Sequence, residues 1–231
     1  MSAEDFLEGQ VLLIDKPLTW SSFQAVNKLK YVLKHHYGLH KKFKIGHAGT
    51  LDPLATGLLI ICTGKFTKRI SEIQAQTKEY SGTITVGATT PSYDLETEIN
   101  ATFETNHITE ALILKTTKQF TGEIDQIPPV FSAIKKDGIR LYEHARAGED
   151  VEIPSRKTTI YEFEITRIEL PEIDFRVKCS KGTYIRSLAF DFGKALQSGG
   201  HLSALRRTKI GDYDVKNGVT PNDFEASLVE N

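Results

Sequence analysis

The spacing of apolar residues along the chain predicts a sheet built from short strands. Apolar runs over residues 11–14 and 58–62 are typical of buried strands. Apolar and polar residues alternate over residues 80–87, 161–166 and 175–180, which predicts strands with one polar face. The last two segments follow each other closely in the sequence, so we expect them to be antiparallel neighbours.

The same spacing predicts three helices between the strands. After Ser21, which can cap a helix with Gln24 at the capping-box position, apolar residues recur every three or four positions. A second helix is predicted over residues 109–120. A third has its apolar face over residues 185–196 and is expected to end at the glycine pair 199–200. Together these elements predict an α/β protein of the α+β type, with a mixed, mostly antiparallel sheet flanked by helices.

The composition is that of a globular protein with a core of its own. Hydrophobic residues make up 39% and charged residues 26% of the 231 positions. No apolar run approaches the ~20 residues that span a bilayer, and the acidic N-terminus lacks the apolar region of a signal peptide. We interpret Cys62 and Cys179 as core residues in a reducing compartment. These features predict a cytoplasmic protein without membrane contact.

The net charge of −1 argues against a nucleic-acid partner, but the charges are segregated along the chain. Charge clusters are most often solvated surfaces. Two basic clusters, however, flank a glycine-rich segment on either side. The basic clusters are Lys41-Lys42-Lys44, Lys65-Lys68-Arg69, Lys135-Lys136-Arg140 and Arg206-Arg207-Lys209.

The glycine-rich segment, residues 46–57, reads Gly-His-Ala-Gly-Thr-Leu-Asp-Pro-Leu-Ala-Thr-Gly. Its Asp-Pro pair alone would indicate an ordinary turn. In this longer context it presents one carboxylate, Asp52, on a tight loop, and an ionised carboxylate can act as a nucleophile. A nearby guanidinium would keep Asp52 charged. Arg186, which follows a Gly-Thr-Tyr turn at the start of a predicted helix, is the best candidate for that partner.

Several common catalytic and metal sites are excluded by their residue patterns. The Gly-Lys pair at residues 64–65 is not a P-loop, because Leu59 stands where the first glycine is required. His36 and His40 lack the intervening glutamate of a zinc protease, so we assign no metal. No Gly-x-Ser-x-Gly elbow occurs. Asp52 therefore stays the leading candidate for catalysis.

The segment around Asp52 resembles the active-site motif of the bacterial tRNA pseudouridine-55 synthases, the TruB type. Further motifs follow in the order found in that family, over residues 11–210. Each motif alone is weak, but the combination is highly specific. They are Asp15-Lys16-Pro17, Lys78-Glu79-Tyr80, Gln126-Ile127-Pro128-Pro129, Ser132-Ala133-Ile134-Lys135, Lys181-Gly182-Thr183-Tyr184-Ile185-Arg186 and Leu205-Arg206-Arg207.

The resemblance implies the pseudouridine-synthase catalytic fold and a specific reaction. The enzyme would flip a T-loop uridine out of its stack, detach uracil from C1′ and rejoin it through C5, without metal or cofactor. By resemblance Asp52 is the catalytic carboxylate, and its attack on either C1′ of the sugar or C6 of the base is left open. Either route needs it deprotonated, which gives the pairing with Arg186 a purpose.

The resemblance also assigns residues that would bind the substrate. Tyr80 would stack on the flipped uracil and could assist proton removal from C5, while Tyr184 and Leu205 would line the base pocket. His47 would contact the RNA and help to hold its loop open. Phosphates of the T arm would bind the first two basic clusters, that is Lys41, Lys42, Lys44, Lys65, Lys68 and Arg69.

The family further implies a division of the chain and an oligomeric state. We expect residues 1–210 to form the catalytic domain and residues 211–231 a short polar tail, too short for the RNA-binding PUA domain of many relatives. A monomer is expected. Two alternatives from other classes are a tRNA-binding or tRNA-folding module without catalysis, and a nucleoside hydrolase that uses Asp52 with water and releases uracil.

Overall fold

The structure is a computed structural model that describes residues 2–39, 43–132, 134–136, 138–141, 143, 147–149 and 151–229. The chain divides into two compact units, one formed by Met1–Tyr80 together with Leu205–Asn231 and the other by Ser81–Ala204. Two strands, Lys78–Val86 and Gly200–Ile210, contribute one end to each unit.

The described helices and strands alternate along the chain much as the apolar spacing predicts. Short 3-10 helices occur at Gly64–Arg69, Lys118–Phe120 and Val215–Asn217. The remaining elements in chain order are α1 (Ala3–Glu8), β1 (Val11–Lys16), α2 (Ser22–Tyr37), β2 (Ile45–His47), β3 (Ala55–Thr63), α3 (Ile70–Ala75), β4 (Lys78–Val86), β5 (Ala88–Thr89), β6 (Ala101–Thr102), α4 (Glu110–Thr117), β7 (Gly122–Gln126), β8 (Lys135–Lys136), β9 (Ile139–Arg140), β10 (Arg156–Glu169), β11 (Glu172–Cys179), α5 (Ile185–Ala195), β12 (Gly200–Ile210), β13 (Tyr213–Asp214) and α6 (Pro221–Val229).

In the first unit, β3 is the central strand, as its almost unbroken apolar run predicts. It pairs antiparallel with β1 and β2, and parallel with the end of β12 through Leu205, Arg206 and Arg207. Residues of β3 and β1 point alternately into two apolar clusters, one of which includes the buried face of α2. This arrangement places the loop between β2 and β3 beside the end of β12.

Helix α2 begins with the predicted capping box. The Ser21 hydroxyl accepts a hydrogen bond from the Gln24 N–H at 3.1 Å, and the Gln24 side chain accepts one from the Ser21 N–H at 2.7 Å. The helix ends at Gly38, which adopts the left-handed conformation with φ +64°. Local sequence signals therefore fix both ends of α2.

In the second unit, the strands lie in the order β12, β4, β11, β10 and β7. β10 pairs antiparallel with β11, as predicted, and with β7 on its other side. Aromatic rings from the strands meet α5, where Phe163 lies 5.4 Å from Phe192 between ring centres. The predicted fold class, an α+β protein with a mixed, mostly antiparallel sheet, is confirmed.

Two details differ from the expectations. Helix α5 ends at Ala195 rather than at the glycine pair 199–200, and Gly200 is the first residue of β12 instead. A Cβ atom on Gly193 would lie 2.4 Å from the Gly200 backbone nitrogen, so this pair permits a close approach between helix and strand. The C-terminal tail also contains α6, whose Phe224 and Leu228 are buried in the cluster that holds α2.

Candidate active site

Asp52 lies in the loop between β2 and β3 and its side chain is half-buried. The loop is closed by its own backbone, since the Ala48 N–H donates to the Ile60 carbonyl at 2.8 Å and the Ala55 N–H donates to the Asp52 carbonyl at 3.1 Å. At its exit Gly57 has φ +101°, and a Cβ there would lie 2.3 Å from the Arg207 carbonyl oxygen. Only glycine fits this position without a shift.

Ser22 holds the residue next to Asp52. Its buried hydroxyl donates to the Leu51 carbonyl at 3.0 Å and accepts from the Leu51 N–H at 2.8 Å. Both backbone polar groups of Leu51 are therefore satisfied by one side chain at the start of α2. Ser22 therefore binds the loop directly to the start of α2.

Lys16 brings a buried positive charge to the same loop. Its ammonium donates to the carbonyls of Trp20 at 2.6 Å and Pro17 at 3.0 Å, with Pro53 at 3.5 Å. Burial lowers the pKa of Lys16 to about 8, although the nearby Asp52 carboxylate acts in the opposite direction. At neutral pH Lys16 is mostly charged, and its attraction to Asp52 favours the ionised form of both groups.

Arg207 holds the other side of the loop. Its guanidinium is buried and donates to the carbonyls of Leu58 at 2.8 Å, Gly49 at 3.0 Å and Thr50 at 3.4 Å. Its neighbour Arg206 makes a bidentate pair with Asp15. One member of this basic cluster thus stabilises the loop backbone, a role that differs from binding phosphate.

The pocket-lining residues assigned to the first unit are His47, Tyr80 and Leu205. Leu205 pairs with Ala55 between β12 and β3, three residues beyond Asp52, and Tyr80 is almost buried in β4. Burial, and secondarily the charge of Arg207, lowers the pKa of His47, which favours the neutral imidazole at pH 7. Its Nδ1 atom is buried without a hydrogen-bond partner among the described residues.

Arg186 lies in the second unit, on the first turn of α5, and is buried. Its guanidinium donates to the carbonyls of Ser92 at 3.2 Å and Phe131 at 2.9 Å, and its Nε lies 3.6 Å from the Asp94 carboxylate. The Asp94 side chain is only 7% exposed, so this ion pair is shielded from water. Three groups of the second unit therefore orient the Arg186 guanidinium.

Tyr184 is positioned by the Gln-Ile-Pro-Pro motif. The Gln126 amide donates to the Tyr184 carbonyl at 3.0 Å and accepts from the Tyr184 N–H at 2.8 Å. Ser187 donates to the Ile127 carbonyl at 2.7 Å. Two motifs that are far apart in the sequence thus form one structural unit around the start of α5.

The described members of the predicted phosphate-binding set are exposed, or partly exposed at Arg69, but some have carboxylate partners. Lys65 pairs with Glu8 at 2.7 Å, and Arg69 lies 3.5 Å from Glu72. Lys44 and Lys68 are exposed, whereas Lys41 and Lys42 lie outside the described residues. Pairs this exposed are worth little and exchange easily for phosphate. Phosphate binding by this set stays a prediction.

Sequence reasoning missed three residues around the site. Lys16 lies two residues after the buried Ile14 and four after the buried Leu12, so the two-residue period of β1 could have shown that it points inward. Ser22 was overlooked because the neighbouring Ser21 accounts for the helix cap. Asp94 stands in a polar loop, and no local signal distinguishes it.

Comparison with known proteins decides the family. The model of the TruB family pseudouridylate synthase N-terminal domain matches residues 34–185, and that of the tRNA pseudouridylate synthase B C-terminal domain matches residues 186–231. The chain belongs to the TruB family. This membership makes it an isomerase of pseudouridine synthesis, and it confirms both the predicted family and the predicted class of enzyme.

Relatives of this TruB-family chain are similar over nearly its whole length. The protein named tRNA pseudouridine synthase B from Flavobacterium johnsoniae is 77% identical, with 99% of this chain and 100% of the relative covered. The one from Phocaeicola vulgatus is 56% identical over 95% of this chain and 93% of the relative. A chain in the crystal structure of a Cbf5-Nop10-Gar1 complex aligns with a TM-score of 0.72 at 28% identity, covering 98% of this chain and 56% of that one.

The described part of this TruB-family chain lacks both a membrane-spanning helix and a metal-binding cluster. None of its helices is long and apolar enough to cross a membrane. Its described residues contain no group of three or more His, Cys, Asp and Glu side chains arranged to hold a metal ion. Catalysis without metal or cofactor stays a prediction.

Proposed function

We propose that this chain converts a T-loop uridine of tRNA, at position 55, to pseudouridine, with Asp52 as the catalytic carboxylate. The proposal rests mainly on one observation: the side chains of Ser22, Lys16 and Arg207 bind the backbone of the Asp52 loop from three sides. Such preorganisation is typical of a reacting group rather than of a plain turn. The names of relatives up to 77% identical support tRNA as the substrate.

Within this proposal, Asp52 reacts in its ionised form. Lys16 supports that form inside the first unit, and pairing with Arg186 would add a second positive charge. Asp94 then orients the guanidinium of Arg186. The nucleophile attacks either C1′ of the ribose or C6 of the uracil, and the same residues serve both routes.

Substrate binding is assigned to the residues that the family resemblance identifies. Tyr80 stacks on the flipped base, Tyr184 and Leu205 line its pocket, and His47 contacts the RNA that has been opened. A neutral His47 suits this role, because it can enter a stack without carrying a charge. Phosphates of the T arm bind Lys44, Lys65, Lys68 and Arg69. They also bind Lys41 and Lys42, which are included on sequence grounds alone.

Three further expectations belong to the proposal. Residues 1–210 act as the catalytic domain and residues 211–231 as its tail, a division that differs from the family-model boundary at residue 186. The enzyme works as a monomer, as the family resemblance implies. Two buried free cysteines support a reducing, cytoplasmic location.

The experiment compares wild type with Asp52→Asn on unmodified tRNA, with pseudouridine mapped by carbodiimide-blocked primer extension. We expect a stop at the T-loop uridine with wild type and a loss of at least ~10³-fold in rate for the variant, with tRNA binding retained. Asp212→Asn, the same change at an exposed site, is the matched control and should behave as wild type. Turnover by Asp52→Asn would overturn the assignment.

The two alternative functions give different results in the same assay. A binding module would retain tRNA without producing a stop in any variant. A hydrolase would release free uracil, which chromatography detects, whereas a synthase releases none.

A further inference from the structure

The sequence has a long segment without acidic residues that ends at the candidate site. Residues 16–51 contain no Asp or Glu, although they include seven lysines and four of the seven histidines. All 30 acidic residues of the chain lie elsewhere, while the net charge is −1. Positive potential is therefore concentrated in this segment, and about half of its described part is helix α2.

Helix α2 exposes a mixed aromatic and basic face. Its other face, including Leu29 and Leu33, is buried in the core. Phe23 is 70% and Tyr31 is 63% exposed, and the rings of Tyr31 and His35 lie 5.4 Å apart. We call this set the α2 outer row; it consists of Phe23, Asn27, Lys30, Tyr31, Lys34 and His35, of which the two lysines are half-buried and the others exposed.

The two lysines of the α2 outer row differ from their neighbour Lys28 in their ion pairing. Lys28, which lies beside the row, pairs with Glu225 of α6. Within the part of the chain that the structure describes, neither Lys30 nor Lys34 pairs with a carboxylate. The absence of acidic residues in the segment explains this, since the helix offers no i,i+4 partner.

The chemistry of the α2 outer row fits RNA better than a protein or a membrane. Single-stranded nucleic acid binds where aromatic rings stack on bases and cations track the phosphates. Protein interfaces, in contrast, are depleted in lysine. A membrane-bound amphipathic helix needs its apolar face, but that face of α2 is already buried in the core.

The α2 outer row also begins beside the Asp52 loop. Phe23 follows Ser22, whose hydroxyl holds Leu51 next to Asp52. From Phe23 to His35 the row extends about 18 Å along the helix axis. We propose that the α2 outer row binds unpaired nucleotides of the substrate tRNA outside the T arm, an inference that rests on the proposed function. Phe23 and Tyr31 stack on bases, and Lys30 and Lys34 contact phosphates.

The test compares two RNAs and two variants of the whole chain. The ring variant is Phe23→Ala with Tyr31→Ala, and the charge variant is Lys30→Gln with Lys34→Gln. Binding is measured by filter retention to full-length unmodified tRNA and to a T-arm hairpin. We expect the ring variant to raise the Kd for full-length tRNA about tenfold or more, and to leave the hairpin Kd unchanged.

The charge variant adds a second readout. The slope of log Kd against log salt for full-length tRNA should fall by about 1.4, because each phosphate contact on a single strand contributes about 0.7. The control is Tyr161→Ala with Lys115→Gln, an exposed aromatic and an exposed lysine in the second unit. It should bind both RNAs as wild type does.

The outcomes separate this proposal from the proposed function. If wild type makes pseudouridine and the variants bind full-length tRNA with unchanged Kd and salt slope, the α2 outer row has no role in RNA binding. An equal loss on the hairpin would place the contact inside the T arm and overturn the proposal as well. Failure of wild type to make pseudouridine would instead reject the proposed function. Unchanged melting temperatures confirm that the variants are folded.

Discussion

Asp52 and Arg186 lie in different units, and the contacts that hold them there are of two kinds. Around Asp52, the side chains of Ser22, Lys16 and Arg207 bind the backbone of the loop. Arg186 is instead held by its own guanidinium, which two carbonyls and the Asp94 carboxylate surround. The first unit positions a segment of chain, and the second positions a functional group.

Because the contacts differ, Asp52 and Arg186 depend on different kinds of supporting residue. A loop held through its backbone tolerates changes in its own side chains but depends on distant residues that bind it. A buried guanidinium depends on its counter-charge, because an unpaired charge in the interior is costly. Substitutions at the supporting residues should therefore affect stability and catalysis in different proportions.

The largest effect is expected from Asp94→Asn, which removes a counter-charge of the buried Arg186. We expect the free energy of unfolding to fall by about 3 kcal/mol, together with the rate of pseudouridine formation. Urea unfolding and single-turnover assays measure the two effects. Adding Arg186→Met should restore part of the stability without restoring activity, and a double variant as unstable as the single one would contradict the buried-pair account.

Ser22→Ala should have a smaller effect on stability but a distinct effect on catalysis. It leaves the N–H and carbonyl of Leu51 unsatisfied, which costs about 2 kcal/mol. Displacement of Asp52 should lower kcat by ~10–100-fold, with little change in tRNA affinity.

The neighbouring serine supplies the control for that prediction. Ser21→Ala removes the cap of α2 and should cost about 1 kcal/mol without changing kcat, because its hydroxyl bonds Gln24 and not the loop. Equal kcat values for the two variants would show that the Ser22 contact only stabilises the fold.

The last effect concerns pH and is smallest near neutral pH. The pKa of Lys16 is about 8 in the folded protein, below its ordinary value of 10.5, so between these values the unfolded chain holds a proton that the folded chain has released. The free energy of unfolding should therefore rise with pH across this window, by less than the ~1.4 kcal/mol per pH unit that one full proton allows. In Lys16→Met this contribution disappears, which urea titrations from pH 7 to pH 10 can measure. Parallel pH curves for the two proteins would argue against it.

Local signals in the sequence predict what is local in the structure. The capping box at Ser21, the apolar run of β3 and the alternation in β10 and β11 are each determined by nearby residues, and all are confirmed. The helix of the tail was missed although Phe224 and Leu228 stand at helical spacing after Pro221, because the segment as a whole is polar.

Within the candidate site, prediction fails where a partner is distant. Arg186 could be singled out from its Gly-Thr-Tyr context, but Asp94 lies 92 positions earlier in a loop without a motif. Arg207 was recognisable as basic, yet its position on the buried side of β12 depends on the pairing with β3. Long-range pairing is decided by the packing of the whole unit, which no short segment encodes.

The discontinuity of the first unit sets an order of events during synthesis on the ribosome. The second unit is continuous, from Ser81 to Ala204, so all of its residues have been made before the last strand of the first unit emerges. Arg207 reaches the Asp52 loop only after that strand has left the exit tunnel. A nascent chain therefore carries Asp52 through the synthesis of the whole second unit before Arg207 can bind the loop.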